Sequence, residues 1–389
     1  MQTNTKKTKM IHLMIYAMTV LISVAFIFFG NKVASSKMDV LMGDEGFQIE
    51  KVKVTEIIEV YDESLTSDED SELVMKDIAF RAKIISGELK GESIVAIQNL
   101  NSYMMVLPKE VAPGDKILIY NVHNEDFNTD WVYGEYIRTD ALMILGAVFV
   151  VLLLIFGRIK GMQTIVSLVF TVLAIFTVFV PSILSGFNIY LSAIVICIYI
   201  TIMTLIIVSG VNRKTVAAVI GCIGGITVAA LLVLMMDGVL NLTGLVNEES
   251  AYLLMLNPEN PIDLKGVFFG AILIGAMGAI MDVAMSISSS LHEIMETSNT
   301  IGMKKLIKSG MTIGRDIMGT MSNTLILAYI GSSLSIVLLL ITYNPSLLDL
   351  LNREIVVIEI LQALAGSLGI LFTIPLTAMA SGILYTRKK

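Results

Sequence analysis

Long apolar runs separated by short charged stretches make up most of this chain. The runs fall near 11–29, 141–157, 162–180, 189–209, 215–236, 266–288, 321–342 and 356–385. A bilayer core is about 30 Å thick and takes roughly 20 apolar residues of helix to cross, so the pattern predicts an all-α membrane bundle of about eight spans. The last run contains Gly366, Gly369 and Pro375, which predicts a tilt, a bend or an interfacial first turn there.

The period changes between the first and second runs. Val52, Val54 and Ile57 stand in a strand-like stretch, and Phe80, Ala82 and Ile84 alternate with Arg81, Lys83 and Ile85. Ser86-Gly87-Glu88-Leu89-Lys90-Gly91 reads as a turn into Ile94–Ile97, and Pro113-Gly114-Asp115 precedes Lys116–Tyr120. Pro and Gly set turn dihedrals while β-branched residues fill strands. These signals predict a small antiparallel β-barrel-like domain, OB-like in character, of about five to six strands. The organisation expected is a transmembrane anchor at 1–30, a β-rich domain at 31–140 and a seven-helix membrane domain at 141–389. The anchor's roughly 19 apolar residues exceed the 7–15 of a signal-peptide core. Val33-Ala34-Ser35 nonetheless has the small-residue character of a cleavage site.

Composition agrees with lipid as the solvent: 55% of the 389 residues are hydrophobic and 16% charged, and mean hydropathy is +0.79. The net charge of −7 is unevenly spread, since 22 of the 34 acidic residues and 11 of the 27 basic ones lie between Asn31 and Asp140. An acidic soluble segment beside a basic membrane portion argues against nucleic-acid binding. Lys and Arg fall in alternate loops: Lys6, Lys7 and Lys9; Arg158 and Lys160; Arg213 and Lys214; Lys304, Lys305, Lys308 and Arg315; and Arg387, Lys388 and Lys389. The opposite short loops hold only Lys265 and Arg353. Positively charged loops stay cytoplasmic, which predicts both termini inside and residues 31–140 outside. Cys197 and Cys222 both lie in apolar runs and read as small packing residues.

Chemistry concentrates between Gly275 and Asn323. Helical spacing puts Gly275, Gly278, Asp282, Ser286, Ser289 and Glu293 on one face, with Ile280, Val283, Met285 and Ile287 opposite. Small residues let helices approach and hydroxyls bond across the contact, so Gly275 and Gly278 are expected to pack against a neighbour. A carboxylate at mid-membrane costs about 2.5–3.5 kcal/mol on insertion scales, so Asp282 must be protonated, paired, or in contact with water or a cation. One reading makes Asp282 a proton- or cation-binding group in a transport path; the other makes it a hydrogen-bonding group in a packing seam. Lys304, Lys305 and Lys308 suggest a short amphipathic helix on the membrane surface. Asp316, Thr320, Asn323 and Thr324 then share a face entering the next span, where Arg315 or a lysine is placed to pair with Glu293. Asp237 ends the fifth span at an interface, and loop 241–265 is placed to cover the outer mouth.

Other signals are weaker. Asp68-Glu69-Asp70-Ser71-Glu72 lacks the glycine and terminal glutamate of a dedicated calcium loop and reads as a solvated turn. His12, His123 and His292 are scattered, with His123 read as surface, and no H-E-x-x-H or Walker-type phosphate loop occurs. Neither a metal site nor a cofactor is expected, and Asp282 with Asp316 does not match an intramembrane aspartyl protease.

Gly-Ala-Met-Gly-Ala-Ile-Met-Asp-Val-Ala-Met-Ser from Gly275, followed by Gly-Arg-Asp-Ile-Met-Gly-Thr-Met-Ser-Asn-Thr at 314–324, resembles the YibE/F family of bacterial multi-pass membrane proteins. Ile-Ile-Ser-Gly-Glu-Leu-Lys-Gly at 84–91 fits the same arrangement of one span, a β-rich segment and a multi-span remainder. The resemblance implies a bacterial plasma-membrane protein and supplies no reaction, ligand or catalytic residue. The residues themselves point first to a secondary transporter or permease-like protein acting on a small solute or ion. The alternative is a scaffold or envelope-assembly factor whose outer domain binds an envelope protein. Neither is an enzyme.

Overall fold

The computed structural model describes residues 2–36, 48–62, 65–66, 72–73, 75–101, 108–124, 129–256, 261–298, 301–343 and 346–386. The acidic stretch 68–71 and the basic residues 387–389 lie outside them, as do the side chains of Lys6, Lys7, Lys9 and His123. The chain is mostly helical and forms two compact units, Gly43–Leu152 and Met1–Met42 with Leu153–Lys389.

The first unit holds seven strands in two sheets, β2 pairing only with β3: β1 Ile49–Asp62, β2 Leu65–Thr66, β3 Glu72–Leu73, β4 Met75–Ile84, β5 Ser93–Asn101, β6 Lys116–Asn124 and β7 Thr129–Tyr136. The five long strands pair in the order β1-β4-β5-β7-β6, and β6 pairs again with β1. Four of these joins are antiparallel; β5 meets β7 through one parallel pair, Ile97 with Val132. Alternation does the sorting: Val52, Val54, Phe80, Ala82 and Ile84 are buried, while Lys53, Arg81 and Lys83 point out. Gly87 and Gly91 carry φ of 86° and 100° in the turn between β4 and β5, a backbone region glycine enters freely. Gln98 is wholly buried yet satisfied, donating to Lys109 O (2.9 Å) and accepting from Val111 N–H (2.8 Å).

The second unit is helical. Its elements are α1 Gln2–Ala34, α2 Thr139–Ala174 (in this unit from Leu153 onward) with a π-helical stretch Ile175–Phe179, α3 Val180–Leu184, α4 Ile189–Ser209, α5 Arg213–Leu240 and α6 Glu248–Met255. After these come α7 Leu264–Thr297, α8 Met303–Ser332, α9 Leu334–Tyr343, α10 Leu347–Asn352 and α11 Glu354–Thr386. Among the described residues six helical stretches are long and apolar enough to cross a membrane, or seven if α8 and α9 form one span. The difference from the eight runs arises at Thr139–Leu184, a 46-residue stretch. At 1.5 Å per residue it would be about 70 Å long if straight, twice what a bilayer core needs. It is not straight: Arg158 has φ 49° and ψ −124°. The chain folds back there so tightly that a Cβ on Gly161 would lie 2.1 Å from Leu153 O.

Two further expectations change. Lys304, Lys305 and Lys308 do not sit on a separate surface helix but open α8, which runs unbroken for 30 residues. Gly310 and Gly314 explain this, because their bare faces let α8 settle against Ala378 and Ile374 of α11. The seventh run is bent by 62° between α8 and α9. The bend falls at Gly331-Ser332-Ser333, where the Ser332 hydroxyl donates to Tyr329 O (2.8 Å); small and hydroxyl-bearing residues of this kind commonly break a helix ladder.

The bundle closes around α11, which packs against α5, α7 and α8, while α7 also meets α4 and α5. Cys197 and Cys222 are fully buried in this core. α1 joins it through Phe26, whose ring stacks on Tyr199 at 3.9 Å between centroids.

Candidate functional site

Helix α7 is capped by Asp263, whose side chain accepts from Gly266 N–H, and runs 34 residues from Leu264. Its buried side is Ile272, Leu273, Ala276, Ile280, Val283, Ala284, Ile287 and Leu291. The opposite side carries Gly275, Gly278, Asp282, Ser286 and Glu293, all exposed, with Ser289 half-buried. The sequence therefore names the members of this stripe, and the structure turns it away from the bundle core. No hydrogen bond or ion pair joins Asp282 to another described residue. Gly275 does pack: a Cβ there would stand 2.9 Å from the Tyr329 hydroxyl. At Gly278 nothing lies within 4 Å of the same position.

Helix α8 behaves in the same way. Leu306, Gly310, Gly314 and Leu325 face the core, whereas Arg315, Asp316, Gly319, Thr320, Asn323 and Thr324 are exposed. The two helices meet through other residues: Gly275 lies beside Tyr329, and Gly310 beside Leu291. The polar residues of both helices thus lie on exposed faces. Glu293 has no ion pair with Arg315 or with a lysine of α8; the pair formed near it is His292 Nε2 with Glu296 Oε1 at 3.2 Å. Among the described residues no group of three or more His, Cys, Asp and Glu side chains is placed to hold a metal ion.

The tightest helix packing in the bundle lies between α5 and α11. A Cβ on Gly221 would meet Thr377 Oγ1 at 1.8 Å, and one on Gly225 would meet Thr373 Oγ1 at 1.9 Å and Gly369 O at 2.9 Å. This is the close helix approach that a Gly-x-x-x-Gly spacing permits, and Gly221-Cys222-Ile223-Gly224-Gly225 was its signal in the sequence. On the other side of the contact α11 buries Thr373, Thr377, Ser381 and Tyr385, four residues apart each time. Thr373 donates to Gly369 O (2.7 Å). The Ser288 hydroxyl lies 2.6 Å from the Tyr385 hydroxyl and donates to Lys214 O at 2.7 Å, joining α5, α7 and α11. Ser288 is thus the stripe's structural neighbour, one position from Ser289 and on the other side of the helix.

Two carboxylates gain definition. Asp237 is half-buried and stands 3.3 Å from the Lys265 ammonium. Glu354, at the start of α11, accepts from Thr243 N–H (2.6 Å), Gly244 N–H (2.6 Å) and the Thr243 hydroxyl (2.8 Å), tying part of the 241–265 loop to that helix. A groove of about 280 Å³ between α8, α9 and α11 is lined by Ile326, Ile330, Val337, Ile355 and Ile360, with Glu359 as its single charged residue. Glu359 was visible in the last apolar run as an acid among aliphatics.

Compared with known proteins, residues 145–387 match the YibE/F-like protein family. The match begins after the sheet strands. No curated protein and no solved structure matches the chain.

Proposed function

This chain belongs to the YibE/F-like family, and on that premise we propose that it is a secondary transporter or permease-like protein whose working surface is the polar face of α7 and α8. The observation that carries the reading is Asp282: an exposed carboxylate, without a described partner, on a helix long and apolar enough to cross a membrane. An intramembrane acid costs about 2.5–3.5 kcal/mol even on insertion scales. A group retained at that cost is one that exchanges a proton or binds a cation. Ser286 and Ser289 on the same face of α7, with Thr320 and Asn323 exposed on α8, supply the hydroxyl and amide groups a small polar solute or hydrated ion needs. Asp316 and Glu293 extend the acidic surface, Asp316 toward the lysine-bearing start of α8 and Glu293 toward the end of α7. In this reading the chain is no enzyme and needs no cofactor.

The reading includes a topology. Charge bias puts both termini on the cytoplasmic side of a bacterial plasma membrane and the sheet unit outside it. We take that unit as a small OB-like barrel, since its strand order returns from β6 to β1.

The test is a flux comparison in proteoliposomes or whole cells between the wild type and Asp282→Asn, with substrates drawn from metabolites and ions that differ between deletion and wild-type cells. Asp282→Asn removes the charge and keeps the shape, so flux that falls by tenfold or more supports the role. Unchanged flux removes Asp282 from the path. A scaffold role is the second reading, favoured by the separate compact unit Gly43–Leu152; it predicts a phenotype lost when that unit's surface is changed and kept in Asp282→Asn.

A further inference from the structure

We propose that the polar face of α7 and α8 is covered by the same face of a second copy of this chain, making a two-fold dimer in the membrane. The inference goes beyond the transport reading and holds whether or not the face carries a solute.

The other exposed helix faces suit lipid: Leu191, Val195 and Ile202 on α4, and Leu364, Leu368 and Phe372 on α11. The α7–α8 face instead presents Gly278, Asp282, Ser286, Asp316, Gly319 and Asn323 among the described residues. Lipid tails offer these groups no hydrogen bond, and polar side chains in a membrane segment turn toward protein or water.

The contacts of Gly275 with Tyr329 and of Leu291 with Gly310 fix the antiparallel register of α7 and α8. Interpolating between them puts Asp282 level with Thr320, Ser286 with Asp316, and Glu293 with Lys308. A two-fold axis along the membrane normal preserves depth, so each residue meets its own level on the second copy. Asp282 then faces the hydroxyl of Thr320 and the amide of Asn323, and Glu293 faces Lys308, while Arg315 reaches the Ser286–Ser289 hydroxyls. Acids on one helix meet donors and cations on the other, twice.

A Cβ on either Gly278 or Gly319 would meet nothing within 4 Å. Both helices are therefore bare where a neighbouring helix would come closest, as at small-residue interfaces generally.

The experiment uses the full chain in native membranes. Single variants Ser286→Cys and Thr320→Cys are treated with a short bis-maleimide; the wild type is the background, because Cys197 and Cys222 are buried. Leu191→Cys and Leu368→Cys report on lipid-facing sides. A band at twice 42.4 kDa from the first two variants only, with a dimer mass in nanodiscs, is the expected result. Gly278→Trp and Gly319→Trp then fill space that is open in the single chain, so the fold stands while the dimer is lost. A monomer mass for the wild type overturns the proposal. So does cross-linking confined to Leu191→Cys or Leu368→Cys, or a dimer unaffected by both tryptophans. Flux in Asp282→Asn is read separately, so the transport role and the dimer fail independently.

Discussion

Replacing Gly225 by Ala is expected to destabilise the helical unit, although Ala is the better helix former. On an open helix surface the change gains about 1 kcal/mol. At Gly225 the new methyl would fall 1.9 Å from Thr373 Oγ1 and 2.9 Å from Gly369 O. The Thr373 hydroxyl cannot swing away freely, since it is bonded to Gly369 O at 2.7 Å. Gly369 O is backbone, so relief requires α5 and α11 to part. Overpacking of this kind costs about 1–3 kcal/mol, and a contact against backbone belongs at the top of that range. The net expectation is a loss of about 2 kcal/mol, or on the order of 5 °C in Tm for a domain of this size. Because Cys197 and Cys222 are fully buried, a thiol-reactive fluorophore reports their exposure as the detergent-solubilised protein is heated. Gly278→Ala, with nothing within 4 Å, is the matched control in detergent-dissociated protein and is expected to hold or raise Tm. A Gly225→Ala protein as stable as the wild type would refute the close approach of α5 to α11.

Further outcomes concern the sheet unit, where Trp131, the only tryptophan, is a built-in reporter. Burial, reinforced by the Asp115 carboxylate, pushes the Tyr136 phenol up to about 12. The folded state thus favours the neutral phenol: its contribution is intact below the unfolded value near pH 10 and is lost as pH rises toward 12. Urea midpoints from Trp131 fluorescence should fall between pH 9.5 and about 11.5, with a shallower fall in Tyr136→Phe; an equal slope in the variant would reject the assignment. Gln98→Ala strands Lys109 O and Val111 N–H inside the sheet unit. Each lost partner costs about 1–3 kcal/mol, so the variant should unfold at lower urea and show faster amide exchange at Val111. Unchanged exchange would mean the loop is held by other contacts.

How much of this was readable beforehand follows from what a periodic sequence specifies. The apolar runs, the alternating strands around Phe80–Ile84 and the turn glycines were legible, because each depends on a local period or dihedral. The membership of the Asp282 stripe was legible for the same reason. Which way the stripe pointed was not. In water an apolar face must turn inward, but lipid is as apolar as a helix core, so hydrophobicity does not say which face of a membrane helix meets protein. Gly221 and Gly225 were plain in the sequence as small residues, yet their use depended on Thr373 and Thr377, about 150 residues downstream. The fold-back at Arg158 separated two runs that charge already divided, while the continuity of α8 overrode its lysines because Gly310 and Gly314 dock it on α11.

The sequence alone determined a membrane chain with one β-rich segment, and the residues that share each helical face. Tertiary structure alone decided that α7 and α8 present their charges outward while α5 and α11 make the tight seam. The reason is steric: only a side without Cβ atoms admits a second backbone, and the space opposite Gly221 and Gly225 is filled where that opposite Gly278 is empty.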